Sequence, residues 1–433
     1  MNRYVTVLSL CLSLIAYTGF AQTHSKVLTV AAPEAGGFSA SRLTRIDSGL
    51  TAWVRQKWVN GAVALIARNG KIVFDKAYGY NDVDTKEPLN KNGIFRIASQ
   101  TKAITTVAVM MLWEEGKFSL DDPVSKFIPG FANEQVLNSL NLKDTTFTLV
   151  PAKRPVSIFD LLTHTSGLGY PAIGTAEENA VYAKYYITGG VGTKGQELGD
   201  AMNRLGKLPL FFQPGEKWKY SLGADVLGYL VQVWSGMSLE DFFAQRIFKP
   251  LNMKDTYFNV PASKGSRLVN FYVGDSSGNI KKQSAVFDGA LDMNYPLQHT
   301  DYFSGGGGLS STIYDYAIFL QMLLNDGEYN GVRLLAPATV QMMTKNQIGD
   351  LTVNIGNSKG SKFGFGFAVL PENGYSATPR KPGTYAWGGV FSTTYWVDPK
   401  EHLLVLLYEQ MWGPYVGQTQ KLFSALVYQA ITN

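Results

Sequence analysis

The stretch RIASQTKAITTVAVMML, from Arg96 to Leu112, sets one charge, Lys102, at the head of an otherwise almost wholly apolar run. Ala103, Ile104 and Val107 through Leu112 follow it, interrupted by Thr105 and Thr106. A helix that is apolar nearly all round belongs in a core. Burying an ammonium is costly unless it is paired or gives up its proton. Ser99 stands three residues before Lys102, and side chains at i and i+3 share a helix face and meet. A serine hydroxyl is a poor nucleophile until a neighbouring base takes its proton. A desolvated lysine has its pKa lowered from about 10.4, so it either serves as that base or holds another base deprotonated. A serine at a helix N-terminus also has backbone N–H groups turned toward an incoming oxyanion. The bland reading of the same tetrad is an N-cap serine with a lysine snorkelling to solvent.

Upstream, Ser39 to Trp58 has Leu43, Ile46, Leu50 and Trp53 at helical spacing. GAVALIARNGKIVFDKAYGYND then reads as two strands joined at Asn69-Gly70, a strong hairpin signal. From about Asp121 to Asn294 the texture changes to long loops and helical stretches, at Ser157–Leu162, Gln196–Leu205, Ala224–Trp234 and Leu239–Ile247. Strand patterns return past Phe363 in FGFGFAVL, TYAWGGVF, TTYWVDP and HLLVLLYEQ, and a helix from about Gly417 to Ile431 closes the chain. The expected class is α/β (α+β): an antiparallel sheet flanked by helices, built from both ends of the chain. On this reading residues 22–120 and 295–433 form the sheet subdomain, and 121–294 a mostly helical subdomain inserted between them. The interface between the two lies beside the Ser99 helix, where ligand sites are favoured.

The chain has 433 residues, 45% hydrophobic and 17% charged, with a formal charge of +5 spread along its length. No basic block of the kind nucleic acid requires is present. MNRYVTVLSLCLSLIAYTGFAQ has a basic start, an apolar run and small residues at Gly19 and Ala21. That is the layout of a signal peptide cleaved after Ala21, which predicts a periplasmic or secreted protein without stable membrane insertion. Cys11 is the only cysteine, so the mature chain would have no disulfide, thiolate nucleophile or cysteine metal site. None of the four histidines stands at metal-ligand spacing, and no G-x-S-x-G elbow occurs. The tetraglycine Gly305–Gly308 lacks the Lys-Ser or Lys-Thr of a phosphate loop and reads as a turn where backbones pass closely.

Two further segments join SQTK in order: Tyr220-Ser221 in PGEKWKYSLGADVLGYLVQVW, and Trp387-Gly388-Gly389 in YAWGGVFSTTYWVDP. With LLTHTSGLGY, from Leu161 to Tyr170, they resemble the serine β-lactamase-like superfamily over most of the mature chain. The nearest likeness is to the family-VIII carboxylesterases and related acyltransferases, cousins of class C β-lactamases and DD-peptidases. The resemblance implies Ser99 as nucleophile, Lys102 as its proton partner and Tyr220 as the proton relay. It also implies an oxyanion hole from the backbone N–H groups of Ser99 and Val390, and no cofactor or metal. Trp387, Gly388, Gly389, Leu222 and Tyr170 are the expected substrate contacts, with Phe211, Phe212, Tyr302, Phe303 and Trp412 as further candidates for an acyl pocket. His164 reads as a loop brace, and Asp225 as a charge at a helix N-terminus. The departures carry the substrate class. Leu222 stands where a β-lactamase has asparagine and Trp387 where it has lysine, so the groups that would pair a lactam's amide and carboxylate are gone. Tyr257-Phe258-Asn259 matches Tyr-x-Asn by chance, in a loop after a helix. The expected activity is cleavage of a small ester with an apolar acyl group through an acyl-enzyme. Amide hydrolysis as a β-lactamase or D-amino-acid peptidase, acyl transfer, and an acyl-binding sensor are the alternatives.

Overall fold

The computed structural model describes residues 26–287, 289–372 and 378–432; the leader reading of residues 1–21 lies outside them. Nine strands make the main sheet: β1 (Thr29–Val30), β2 (Gly61–Arg68), β3 (Lys71–Asp82), β4 (Glu87–Pro88), β5 (Lys362–Phe363), β6 (Ala368–Val369), β7 (Tyr385–Gly388), β8 (Thr393–Asp398) and β9 (Leu403–Tyr408). Their order is β1-β3-β2-β9-β8-β7-β6-β5, with β4 paired to the end of β3. The β1–β3 pairing is parallel and the others antiparallel. The hairpin falls where Asn69-Gly70 puts it: both residues take positive φ, 54° and 76°, as a tight two-residue turn requires. The sheet joins the two ends of the chain, with Val63 opposite Tyr408 and Leu65 opposite Leu406.

Helices cover both faces, so β2 is buried at every residue. Alternation sorts its side chains: Val63, Leu65 and Ala67 join the larger core, while Ala62, Ala64 and Ile66 join the smaller one. The smaller core is closed by α1 (Ala40–Arg55), through Leu43, Ile46, Leu50 and Trp53. The larger core holds α2 (Thr101–Glu114), buried from Thr101 to Leu112. Further along the chain come α3 (Ile158–Thr163), α4 (Gly223–Ser235), α5 (Ile313–Leu324) and α6 (Val416–Tyr428). Helix α2 packs on α4, α5 on β9, and α6 on α1. The larger core runs on without a break into Leu205, Leu227 and Leu230 of the intervening region.

Ser157 caps α3 in a capping box with Asp160, the local pattern that starts a helix there. One hairpin, Gln135–Asn141 with Thr146–Pro151, has no counterpart in the sequence reading. Its strands are largely exposed on both faces, so they lack the apolar alternation that marks a half-buried strand. Among the described residues, no helix is long and apolar enough to cross a membrane.

Candidate active site

Ser99 lies in a short 3-10 turn, Ala98–Gln100, that runs directly into α2. Ala98 takes φ 43°, a left-handed conformation that costs a residue with a Cβ about 1–2 kcal/mol. The surroundings hold that turn in place. Tyr408 Oη donates to Gln100 Oε1 at 2.6 Å and Tyr316 Oη to the Gln100 carbonyl at 2.9 Å. Arg96, fully buried, donates to the carbonyls of Met293 and Val269, both at 2.6 Å; burial lowers its pKa to about 10.

Lys102 is 3% exposed, so it does not snorkel. Its Nζ donates to the Gly306 carbonyl at 2.6 Å and stands 3.5 Å from Ser99 Oγ. The same ammonium lies 4.5 Å from the centre of the Tyr220 ring and 5.4 Å from that of Tyr170. Tyr220 Oη donates to Ser99 Oγ at 2.6 Å. Ser99, Lys102 and Tyr220 thus converge, although Tyr220 is 121 residues from Ser99.

The tyrosine is fixed from several sides. Tyr170 stacks on it, with centroids 5.5 Å apart and planes 1° from parallel, and Trp387 leans on it at 5.5 Å. His164 grips both of its chain neighbours: its carbonyl accepts from Lys219 N at 2.9 Å, and Nδ1 bonds Ser221 Oγ at 3.1 Å. Burial, with the nearby Lys102 charge, pushes the His164 pKa down to about 3. It is a neutral brace.

Trp387 and Gly388 end β7. A Cβ on Gly389 would lie 2.4 Å from the Ile97 carbonyl oxygen and 2.5 Å from Thr393 Oγ1. Only glycine lets this strand pass so close to the residues that lead into Ser99. Val390 follows, 40% exposed, its carbonyl accepting from Trp412 Nε1 at 2.6 Å. Leu222 departs from expectation. It is fully buried, with its N–H bonded to the Gly169 carbonyl at 3.0 Å, and presents no open surface to a substrate. Tyr170 and Trp387 are the apolar side chains next to Tyr220. Among the further candidates, Phe303 packs on Phe258, Phe211 on Tyr182 and Trp412 on Phe271. Phe212 and Tyr302 are buried. Asn259 is tied to the Thr300 carbonyl at 3.2 Å and stands apart from the Ser99 cluster.

Sequence reasoning missed the tetraglycine's part in the site. Gly305 and Gly306 offer their carbonyls to Thr105 Oγ1, at 2.7 Å, and to Lys102. A backbone acceptor leaves no side-chain signal; the glycine run was its one trace. Among the described residues, no three His, Cys, Asp or Glu side chains form a metal-binding group.

The geometry suits activation of Ser99: a phenol in short contact with the hydroxyl, an ammonium beside its ring, and a turn held rigid by buried hydrogen bonds. Comparison with known proteins gives the family. The Beta-lactamase family model matches residues 46–423. Esterase EstB of Burkholderia gladioli is 32% identical over 407 residues, 89% of this chain and 97% of EstB. Among solved structures, EstCE1, described as a hydrolase with promiscuous acyltransferase activity, superposes with a TM-score of 0.75 at 27% identity, covering 90% of this chain and 99% of its own. Simvastatin synthase (LovD) from Aspergillus terreus shares the fold at a TM-score of 0.76 and 23% identity, over 90% of this chain and 98% of its own. The chain therefore belongs to the serine β-lactamase-like superfamily, as a hydrolase of the β-lactamase family that stands near the family-VIII esterases.

Proposed function

We propose that this chain hydrolyses small carboxylic esters with apolar acyl groups through an acyl-enzyme on Ser99. The observation that carries the reading is the 2.6 Å contact between Tyr220 Oη and Ser99 Oγ, with Lys102 Nζ 4.5 Å from the same ring. Tyr220, as phenolate, takes the Ser99 proton as Oγ attacks the ester carbonyl, and returns it to the departing alkoxide. The Lys102 charge stabilises the phenolate while it exists. The backbone N–H groups of Ser99 and Val390 hold the developing oxyanion, a pair of donors worth a few kcal/mol each. Water then attacks the acyl-enzyme, with Tyr220 again moving the proton, and the acid leaves.

Ester is favoured over lactam because Trp387 replaces the cation that would pair a lactam carboxylate, and Tyr170 joins it in an apolar wall around Tyr220. An alcohol in place of water would make the same intermediate an acyl donor, a second reading supported by the likeness to EstCE1. The division into a sheet subdomain and an inserted region 121–294 belongs to this proposal, as does export with cleavage after Ala21. Export is checked by the mass of the mature protein. The catalytic reading is tested with short-chain p-nitrophenyl esters and nitrocefin. We expect ester turnover that Ser99→Ala abolishes and little nitrocefin hydrolysis. Undiminished ester turnover in Ser99→Ala overturns the nucleophile, and efficient nitrocefin turnover overturns the substrate class.

A further inference from the structure

Behind Lys102 lies a carboxylate that the mechanism above does not use. Asp225, in the first turn of α4, is fully buried. Its Oδ1 accepts from Ser304 Oγ at 2.6 Å and from Gly306 N at 3.4 Å. Its Oδ2 is buried without any hydrogen-bond partner. A methyl group on Gly306 would lie 2.4 Å from that Oδ2 and 3.4 Å from Lys102 Nζ, so both groups face the same backbone atom. The strap above is equally tight: a Cβ on Gly190 would stand 2.6 Å from Ser304 Oγ and 2.9 Å from Asp225 Oδ1. Gly190 and Gly306 carry no side chain, and the backbone closes over the carboxylate where solvent would otherwise reach it.

An unpaired carboxyl in so dry a place is costly, and a helix-terminal charge at the surface would serve the helix equally well. The expense makes sense if the carboxylate has a counter-charge to hold. The titratable groups facing it are Lys102 from α2 and the phenols of Tyr170 and Tyr302; Lys102 is the one cation among them. We infer that Asp225 is a positioning residue for Lys102: its carboxylate holds the lysine side chain turned to the Gly306 carbonyl, so that its Nζ stays beside Tyr220. Burial pushes the Asp225 pKa above the ordinary carboxylate range, and the Lys102 charge works against that rise.

The inference rests on the Ser99–Lys102–Tyr220 reading, and its test separates the two. The probe is an alkyl phosphonate p-nitrophenyl ester that phosphonylates an activated serine, read by intact mass as a rate over a pH series. It needs no knowledge of the natural substrate. Asp225→Asn keeps the shape and an acceptor for Ser304 but removes the charge. Without the carboxylate, the acid limb that the titration of Asp225 gives the parent's labelling rate should be lost. The maximal rate should fall about tenfold or more. Ser304→Ala guards against a folding failure, because it leaves the carboxylate in place and weakens only its support. Asp225 then protonates more readily, and the acid limb should move to higher pH. Profiles that superpose on the parent's in both variants overturn the inference while leaving Ser99 as nucleophile. No labelling of the parent protein overturns the nucleophile reading and this inference with it.

Discussion

Two contacts meet at Ser99 Oγ, and they are unequal. Tyr220 Oη approaches to 2.6 Å, a normal O–H···O distance, whereas Lys102 Nζ stands at 3.5 Å, near the outer limit of a hydrogen bond. Lys102 spends its short contact on the Gly306 carbonyl instead, at 2.6 Å. On the proposed mechanism, these distances suit Tyr220 to proton transfer and Lys102 to electrostatic support. Tyr220→Phe should lower kcat for p-nitrophenyl butyrate by about 10²–10⁴, the usual contribution of a general base, with KM changed little. A loss of less than about tenfold would move the base role to Lys102. His164, neutral and bonded on both sides of Tyr220, has no proton to give in this range. His164→Asn should therefore leave the shape of the pH–rate profile unchanged while lowering the melting temperature.

At the scale of elements, the site is a helix, a strand end and a turn brought edge to edge. The helix was the legible part. Ser99 and Lys102 are one turn apart, and the apolar run from Ala103 to Leu112 announces burial locally. Tyr220 carries no such local mark; a tyrosine before an apolar helix is ordinary, and it was found through the resemblance of ordered motifs. The Gly306 carbonyl and the buried Asp225 were not legible, because their meaning lies in contacts between segments far apart in sequence. Leu222 was misplaced for the same reason, since position in a motif does not say whether a side chain points into the site or the core. The strand end is held close by Gly389. Gly389→Ala should leave a folded protein, because the clash sits at the end of β7. It should push the strand off Ile97 and lower kcat/KM by up to about 10²-fold, the cost of a 1 Å misplacement. Circular dichroism together with ester kinetics checks both halves of that expectation.

Across the whole molecule, helices on both faces enclose the central strands of the sheet, and Glu409 is among the carboxyls buried against them. Glu409 follows β9 and accepts from Thr419 Oγ1 of α6 at 2.8 Å, with the Gln420 side chain also bonded to it. Burial raises its pKa from 4.5 to about 8. A carboxyl whose folded pKa is raised takes up a proton on folding. Its contribution to stability is complete below pH 4.5 and is lost as pH rises through 8. Glu409→Gln removes that loss, so the variant should gain in melting temperature over the parent more at about pH 9 than at about pH 5. An equal difference at both pH values would show that the parent buries Glu409 charged.

The sheet that supports α2 also sets a rule of timing. Strand β2 pairs on one side with β3 and on the other with β9, Ala64 lying opposite Leu407. A ribosome makes the chain from the N-terminus, so β2 and β3 emerge with an open apolar edge that waits for more than three hundred further residues. The Gly389 strand and the Tyr408 hydroxyl that steadies Gln100 arrive only with that last piece. A half-made chain therefore has Ser99 without the partners that surround it in the finished fold, and the cluster comes together only when synthesis is complete.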